Sequence, residues 1–232
     1  MLNILFSPRW FSGGDILIDI FSIVVLLVIS VVTFRYHQLN QGQKKHIYFS
    51  LATLFLALAF VFKIITNFTL YEHVYRTFSI GVFTLVYGGI NFSDTLFLVG
   101  TLLYRLFTLL GFYLLFRIYC RRYSLYLDAL MIYFMIIIMY FASHAYYIFH
   151  LTALLFLLPL VRHYIINYRR TKDKAGQLIA WSFGLIAASQ VASILLSIDQ
   201  IVYVLAEGIQ FIGYVLLLLT VLMVRFYGKK KK

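Results

Sequence analysis

The chain has 232 residues, of which 63% are hydrophobic and only 12% are charged, and its formal net charge is +12. A soluble domain carries about 25% charged residues, so this composition excludes a soluble globular fold. The single cysteine excludes a disulfide framework within the chain. The composition instead predicts an all-α polytopic membrane protein.

Seven apolar segments are each suited to a membrane-spanning helix of about 20 residues. In chain order they cover about 15–34, 47–65, 94–117, 125–141, 145–166, 175–198 and 201–226. We therefore expect one seven-helix transmembrane domain over residues 1–232, with no separate soluble domain. A further apolar run at 78–90 is too short to span comfortably, and it predicts a short interfacial or re-entrant helix between the second and third spans.

Lysine and arginine placement predicts the orientation of this bundle. With seven spans, 16 of the 20 basic residues fall on one side of the membrane: Arg35, Lys44, Lys45, Arg117, Arg121, Arg122, Arg162, Arg169, Arg170, Lys172, Lys174, Arg225, Lys229, Lys230, Lys231 and Lys232. Cytoplasmic loops carry an excess of Lys and Arg. The N-terminus is therefore predicted outside and the C-terminus in the cytoplasm. The N-x-[ST] tripeptides at Asn67 and Asn91 then fall in an outer loop.

The charge most deeply placed in an apolar segment is Arg105, about 15 Å into the third span at the helical rise. A guanidinium at this depth is costly unless it faces protein, water or a carboxylate. Glu207 of the seventh span is predicted to be its ion-pair partner. The polar core around this pair is expected to include four further side chains, Gln190, Gln210, Tyr104 and Tyr214. Glu207, Gln210 and Tyr214 recur at the spacing of one helix face.

Acidic residues and one histidine gather toward the predicted outer surface, where they could surround a vestibule that attracts cations or amines. The residues assigned to this vestibule are Asp15, Asp19, Asp94, His150 and Asp199. Asp15 and Asp19 are four residues apart and share one helix face. No group has the spacing of a metal site, and we expect no cofactor. Lys63, near the outer end of the second span, is long enough to be able to snorkel to the interface.

The predicted cytoplasmic face is basic. Six of its residues are candidates for binding anionic lipid or a cytoplasmic or membrane protein partner: Arg117, Arg121, Arg122, Arg169, Arg170 and Lys172. Nucleic-acid binding is not expected, because no folded soluble domain is there to carry it. The sixth span is rich in Ala, Ser and Gly. Such a helix is buried in its bundle or forms an oligomer contact.

No nucleophile elbow, zinc-protease motif or phosphate-binding glycine loop is present. We therefore expect a multi-pass protein of the cell membrane that is receptor-like or sensory rather than an enzyme. Its outward-facing polar pocket would read a ligand and its basic face would contact a partner or anionic lipid. Three alternatives remain open: a structural subunit of a membrane assembly, a small transporter or channel that uses the Arg105–Glu207 pair, and an enzyme that acts on a lipid or polyprenyl substrate.

Overall fold

Seven α-helices and one 3-10 turn make up the computed structural model, which describes residues 11, 13–39, 44–75, 90–119, 125–142 and 145–229; of these, side chains are described except at 44, 68–75, 90–94, 125, 127, 197 and 226–229. The helices are α1 Gly14–Leu39, α2 Lys44–Tyr75, α3 Ile90–Arg117, α4 Leu125–Phe141, α5 Tyr146–Thr171, α6 Lys174–Ile194 and α7 Ile201–Lys229. The 3-10 turn Leu195–Ser197 follows α6. The predicted all-α fold with seven helices is confirmed.

Six of these helices are long and apolar enough to cross a membrane: α1, α2, α3, α5, α6 and α7. An α-helix suits this environment because it satisfies its backbone hydrogen bonds internally. The remaining helix, α4, has 17 residues and is therefore about 26 Å long. The chain is thus a helical protein embedded in a lipid bilayer.

The predicted spans agree with the helices in order, but several boundaries differ. α2 continues to Tyr75, and α3 already begins at Ile90. α6 ends at Ile194, where the 3-10 turn begins. The interfacial or re-entrant helix predicted at 78–90 lies outside the described residues, apart from Ile90.

Six helices pack side by side in a closed ring. Each contacts its two neighbours in the order α1, α2, α3, α5, α6, α7, and α7 returns to α1. The seventh, α4, contacts α3 and α5, so it lies against the outside of the ring. Closure matters because a ring has an interior where polar side chains from all six helices can meet away from lipid.

Contacts between helix ends define the two ends of the bundle. The first turn of α1 meets the last part of α2 where Asn67 Nδ2 donates to Asp15 Oδ2 at 3.3 Å. The first turn of α5 meets the end of α6 where the Tyr146 hydroxyl donates to the Ile194 carbonyl at 3.3 Å. We call the end of the bundle that holds these two contacts the Asp15 end. Successive helices run in alternating directions, so α3 ends and α4 begins at the opposite end of the bundle. We call this opposite end the Arg117 end.

At the Arg117 end, Arg117 of α3 forms an ion pair with Asp128 in the first turn of α4. Tyr113 hydrogen-bonds to Asp128 and accepts a hydrogen bond from Arg117 Nη1 at 3.2 Å. Nearby, the Tyr119 and Tyr164 hydroxyls share a hydrogen bond between α3 and α5. Burial, aided by the Tyr164 hydroxyl, raises the pKa of Tyr119 above its usual range, so this phenol stays protonated.

Small residues allow close helix approach at several contacts. A Cβ on Gly213 of α7 would lie 2.7 Å from Ile186 Cγ1 and 3.1 Å from the Ser182 backbone oxygen of α6. Between α1 and α2, Ser30 and Ser50 each donate a hydrogen bond to the other's carbonyl at 2.9 Å. Gly213 of α7 and Ser182 of α6 thus lie at a close contact between two ring helices, as is common where membrane helices pack closely.

Candidate polar site inside the helix ring

A buried ion triad lies inside the ring near the Asp15 end. Lys63 Nζ of α2 is 2.9 Å from Asp19 Oδ1 of α1 and 2.7 Å from Glu207 Oε2 of α7. Asp19 is fully buried, and Lys63 and Glu207 are each 9% exposed. The ammonium group of Lys63 on α2 thus bridges the carboxylates of Asp19 on α1 and Glu207 on α7. Both α2 and α7 contact α1 in the ring.

The three residues meet because they lie at similar depth. Asp19 is five residues from the start of α1, and Glu207 is six residues from the start of α7. Lys63 is four residues before the end of the apolar part of α2 at Asn67. At the helical rise these separations correspond to about 6–9 Å. Lys63 does not snorkel to the interface, because two carboxylates at its own depth bind it inside the protein.

Asp15 lies one turn from Asp19, and its carboxylate has several hydrogen-bond donors. Oδ1 accepts from the backbone nitrogens of Ile16 at 2.9 Å and Gly13 at 3.2 Å, while Asn67 donates to Oδ2. Asp15 is only 1% exposed. It therefore joins the interior polar cluster rather than a solvated vestibule.

Two hydrogen-bonded pairs extend the cluster around the ring. His150 of α5 donates from Nδ1 to Gln190 Oε1 of α6 over 2.9 Å. On α7, Gln210 Nε2 donates to the Tyr214 hydroxyl at 3.0 Å. Gln190, Gln210 and Tyr214 are all buried. The predicted polar face of α7 is therefore directed into the ring, together with the predicted Gln190.

Tyr104 of α3 also belongs to this cluster. Its ring lies 5.7 Å from that of Phe149 on α5, measured between centroids. Its hydroxyl is within electrostatic reach of Lys63 and Glu207. With Tyr104, every helix of the ring contributes at least one polar side chain at this level.

Arg105 does not form the predicted ion pair with Glu207. Glu207 is paired with Lys63, and the buried Arg105 Nη1 has no hydrogen-bond partner within the described part of the chain. The reason is geometric: Arg105 is ten residues into the apolar part of α3, about one turn deeper than Glu207. Tyr104, one position earlier in α3, is the residue whose hydroxyl lies within electrostatic reach of the triad.

Arg105 is accompanied by a second unsatisfied donor. Thr101 Oγ1 is buried without a hydrogen-bond partner among the described residues. Thr101 and Arg105 are four residues apart and share a face of α3. Unsatisfied buried polar atoms are few in native proteins, and each requires an explanation.

The predicted outer vestibule is not assembled as expected. Asp15 and Asp19 are buried in the cluster, and His150 is bonded to Gln190. Asp199 is exposed and its Oδ1 accepts from the Ile201 backbone nitrogen at 3.0 Å, so it caps the start of α7. The Asp94 side chain lies outside the described residues.

The predicted basic surface lies at the Arg117 end. Arg169, Arg170 and Lys172 are exposed there, whereas Arg117 is partly buried in its ion pair with Asp128. Arg121 and Arg122 lie outside the described residues. The charged interior cluster and the exposed basic residues are thus at opposite ends of the bundle.

Asp19 and Lys63 were not paired by sequence reasoning, although a signal for this pairing was available. Both lie about one turn inside the same predicted face of the membrane, and Glu207 lies nearly two turns inside it. Matching the depths of all charged residues would have favoured the triad over the deeper Arg105.

Known proteins provide no further assignment. No protein-family model, no curated protein and no solved structure matches this chain. Within the described ranges, no group of three or more His, Cys, Asp or Glu residues is arranged to hold a metal ion. Function must therefore be inferred from the polar cluster itself.

Proposed function

We propose that this chain is a receptor-like or sensory membrane protein, in which the polar cluster inside the helix ring reads a small polar ligand. The main support is that all six ring helices contribute polar side chains to one cluster at the Asp15 end. A ligand bound there would touch every helix of the ring. Its binding could therefore change how the helices pack against each other.

The unsatisfied atoms of the cluster favour a polar ligand. Arg105 Nη1, Thr101 Oγ1 and Asp19 Oδ2 are buried without hydrogen-bond partners among the described residues. Burying such groups without a partner costs about 1–3 kcal/mol each. A ligand that carries matching donors and acceptors would recover part of this free energy, which gives the site a physical preference for polar over apolar molecules.

The proposed orientation places the Asp15 end outside and the Arg117 end in the cytoplasm. Arg169, Arg170 and Lys172 are exposed at the Arg117 end, as expected from the excess of basic residues in cytoplasmic segments. In this orientation α4 is the fourth of seven crossings, since it joins the Arg117 end of α3 to the Asp15 end of α5. The exposed basic residues would then bind anionic lipid or a protein partner.

Orientation can be tested by cysteine labelling in whole cells. Asp199→Cys and Arg170→Cys, each in a Cys120→Ser background, place a thiol at exposed positions on opposite ends. A membrane-impermeant maleimide is expected to label Asp199→Cys and to label Arg170→Cys only after permeabilisation. The reverse pattern would overturn the orientation, and labelling of both in intact cells would contradict separation of the two ends by the membrane.

Ligand binding can be tested by thermal unfolding of the purified full chain in detergent. The probes are individual amino acids, short carboxylic acids and primary amines at millimolar concentration. A probe at about 100 times its Kd is expected to raise Tm by about 5–11 °C. This shift should be lost in Arg105→Gln, whereas Arg162→Gln, which changes an exposed arginine of α5, should keep it.

The negative outcomes are equally specific. If no probe shifts the Tm of the folded wild-type chain, the ligand-reading proposal is contradicted, and a structural role in a membrane assembly is favoured instead. An equal shift in wild type and Arg105→Gln would mean that the probe binds away from the cluster.

A second candidate is a small transporter or channel, which the triad itself favours. Ionisable residues inside a membrane bundle often mark the paths of ions or substrates, and Asp19, Lys63 and Glu207 are such residues. Proteoliposomes loaded with a pH-sensitive dye would test this function. A proton flux in wild type, with or without an added amino acid, that is lost in Glu207→Gln would support transport. Absence of any flux would contradict it.

A further inference from the structure

The buried triad has an unequal number of charges. Asp19 and Glu207 bring two carboxylates, and Lys63 brings one ammonium group, so the fully ionised triad has a formal charge of −1. An uncompensated charge inside a protein costs several kcal/mol, and among the described residues the triad lacks one positive charge.

A separate observation indicates where that charge belongs. Asp19 is 0% exposed, and its Oδ1 is bonded to Lys63. Its other oxygen, Oδ2, has no hydrogen-bond partner among the described residues, although it is buried. Glu207 gives one oxygen to the same Lys63. Asp19 Oδ2 is therefore the fully buried acceptor of the triad that has neither a donor nor a cation among the described residues.

We propose that the Asp19–Lys63–Glu207 triad binds one exchangeable monovalent cation, either a proton or Na⁺, at Asp19 Oδ2. A proton would convert Asp19 into a neutral acid. A sodium ion would use oxygen ligands, as hard cations do, and Asp19 Oδ2 would be the first of these. Both bring the triad to a net charge of zero. This inference does not depend on the receptor proposal, since it rests on burial and charge alone.

The other charged and titratable groups that the structure describes around Asp19 do not supply this charge. Asp15 on α1 carries a charge of the same sign and is satisfied by its own donors. Tyr104 of α3 and Tyr203 of α7 are within electrostatic reach of Asp19, but as neutral phenols they supply no cation.

Two basic groups lie further round the ring. His150 of α5 is hydrogen-bonded to Gln190. Arg105 of α3 makes no ion pair with Asp19 or Glu207 within the described part of the chain. Lys63 is thus the cation in contact with both carboxylates, and it cannot balance both.

The test compares Tm of the purified full chain in detergent when NaCl replaces choline chloride at constant ionic strength, over pH 5 to 8. If Na⁺ binds, Tm should rise with NaCl by about 5–11 °C at concentrations about 100 times Kd. If a proton binds, Tm should fall as pH rises and be insensitive to Na⁺, because the folded state then holds more protons than the unfolded state.

Substitutions identify the site and separate it from other groups whose protonation changes with pH. Asp19→Asn supplies a neutral side chain of the same shape, so the Na⁺ or pH dependence should be lost relative to wild type. Glu207→Gln also neutralises the triad and serves as the second variant if Asp19→Asn does not fold. Asp199→Asn, which changes an exposed acid at the same end, should behave as wild type.

Two results would overturn the proposal. One is a wild-type Tm that responds to neither Na⁺ nor pH beyond the response of Asp19→Asn. The other is a Na⁺ or pH response that survives in both Asp19→Asn and Glu207→Gln. Neither result depends on whether the organic probes of the receptor test bind, so the two proposals can fail separately.

Discussion

Replacement of Lys63 by methionine is the most direct test of the interior charge arrangement. Lys63 is 9% exposed and contacts both Asp19 and Glu207. Methionine keeps much of the length of the side chain but removes the charge and the hydrogen-bond donors, so two buried carboxylates lose their common partner. Breaking a buried ion pair by removing one partner costs about 3–5 kcal/mol. For a chain of this size that corresponds to a Tm decrease of about 6–20 °C.

The control is Lys45→Met at the other end of the same helix. Lys45 is exposed, so its replacement should change Tm by less than about 2 °C, as surface substitutions usually do. Both variants are purified in the same detergent and heated under identical conditions. The fraction that remains monodisperse on size exclusion then gives Tm. A Lys63→Met protein as stable as Lys45→Met would refute the triad.

A double-mutant cycle distinguishes the observed pairing from the pairing predicted by sequence. Glu207→Gln should be less harmful in the Lys63→Met background than in wild type, with a coupling of about 0.5–3 kcal/mol. The corresponding cycle between Arg105→Met and Glu207→Gln should be additive within about 0.5 kcal/mol. Strong Arg105–Glu207 coupling with an additive Lys63–Glu207 cycle would show that the sequence-based pairing was right.

Three further predictions concern helix packing away from the triad, with Tm in detergent as the measurement. Gly213→Ala should lower Tm because the new Cβ would lie 2.7 Å from a side-chain carbon of α6. Gly208→Ala should leave Tm unchanged because no heavy atom lies within 4 Å of its new Cβ. Equal effects of the two substitutions would contradict the close α6–α7 contact. Asp128→Asn should destabilise by about 1–3 kcal/mol because Arg117 loses its charged acceptor, and an unchanged Tm would show that this ion pair does not hold α4. Ser50→Ala should cost about 1–2 kcal/mol through the lost reciprocal hydrogen bonds between α1 and α2, and no loss would contradict that geometry.

The ring arrangement explains how a protein with so few charged residues keeps several of them away from lipid. The charged groups of the triad come from α1, α2 and α7, which are adjacent in the ring. The hydrogen-bonded groups of α5 and α6 complete the cluster from the other side. A displacement of any one of these helices would therefore change contacts with the others, which is the property that a sensor or a gated pathway requires.

The amino-acid sequence alone determined the class of protein and the number of helices in the part of the chain that the structure describes. Long apolar runs separated by basic segments indicate membrane helices, because an apolar helix satisfies its own backbone hydrogen bonds in lipid. The helix from Leu125 to Phe141 was predicted with the observed boundaries. The extension of α2 to Tyr75 was missed, because polar residues near a helix end do not show whether the backbone remains helical there.

The pairing of charged residues was decided by tertiary structure. Sequence reasoning assigned Arg105 to Glu207 because both lie within apolar segments, but it had no information on which helices are neighbours or which faces meet. The folded ring places α2 beside α1 and closes α7 onto α1, and this brings Lys63 between Asp19 and Glu207. Hydrophobicity sets how deep a residue lies in the bilayer, whereas the rotation of each helix and the order of helices around the ring determine what that residue touches.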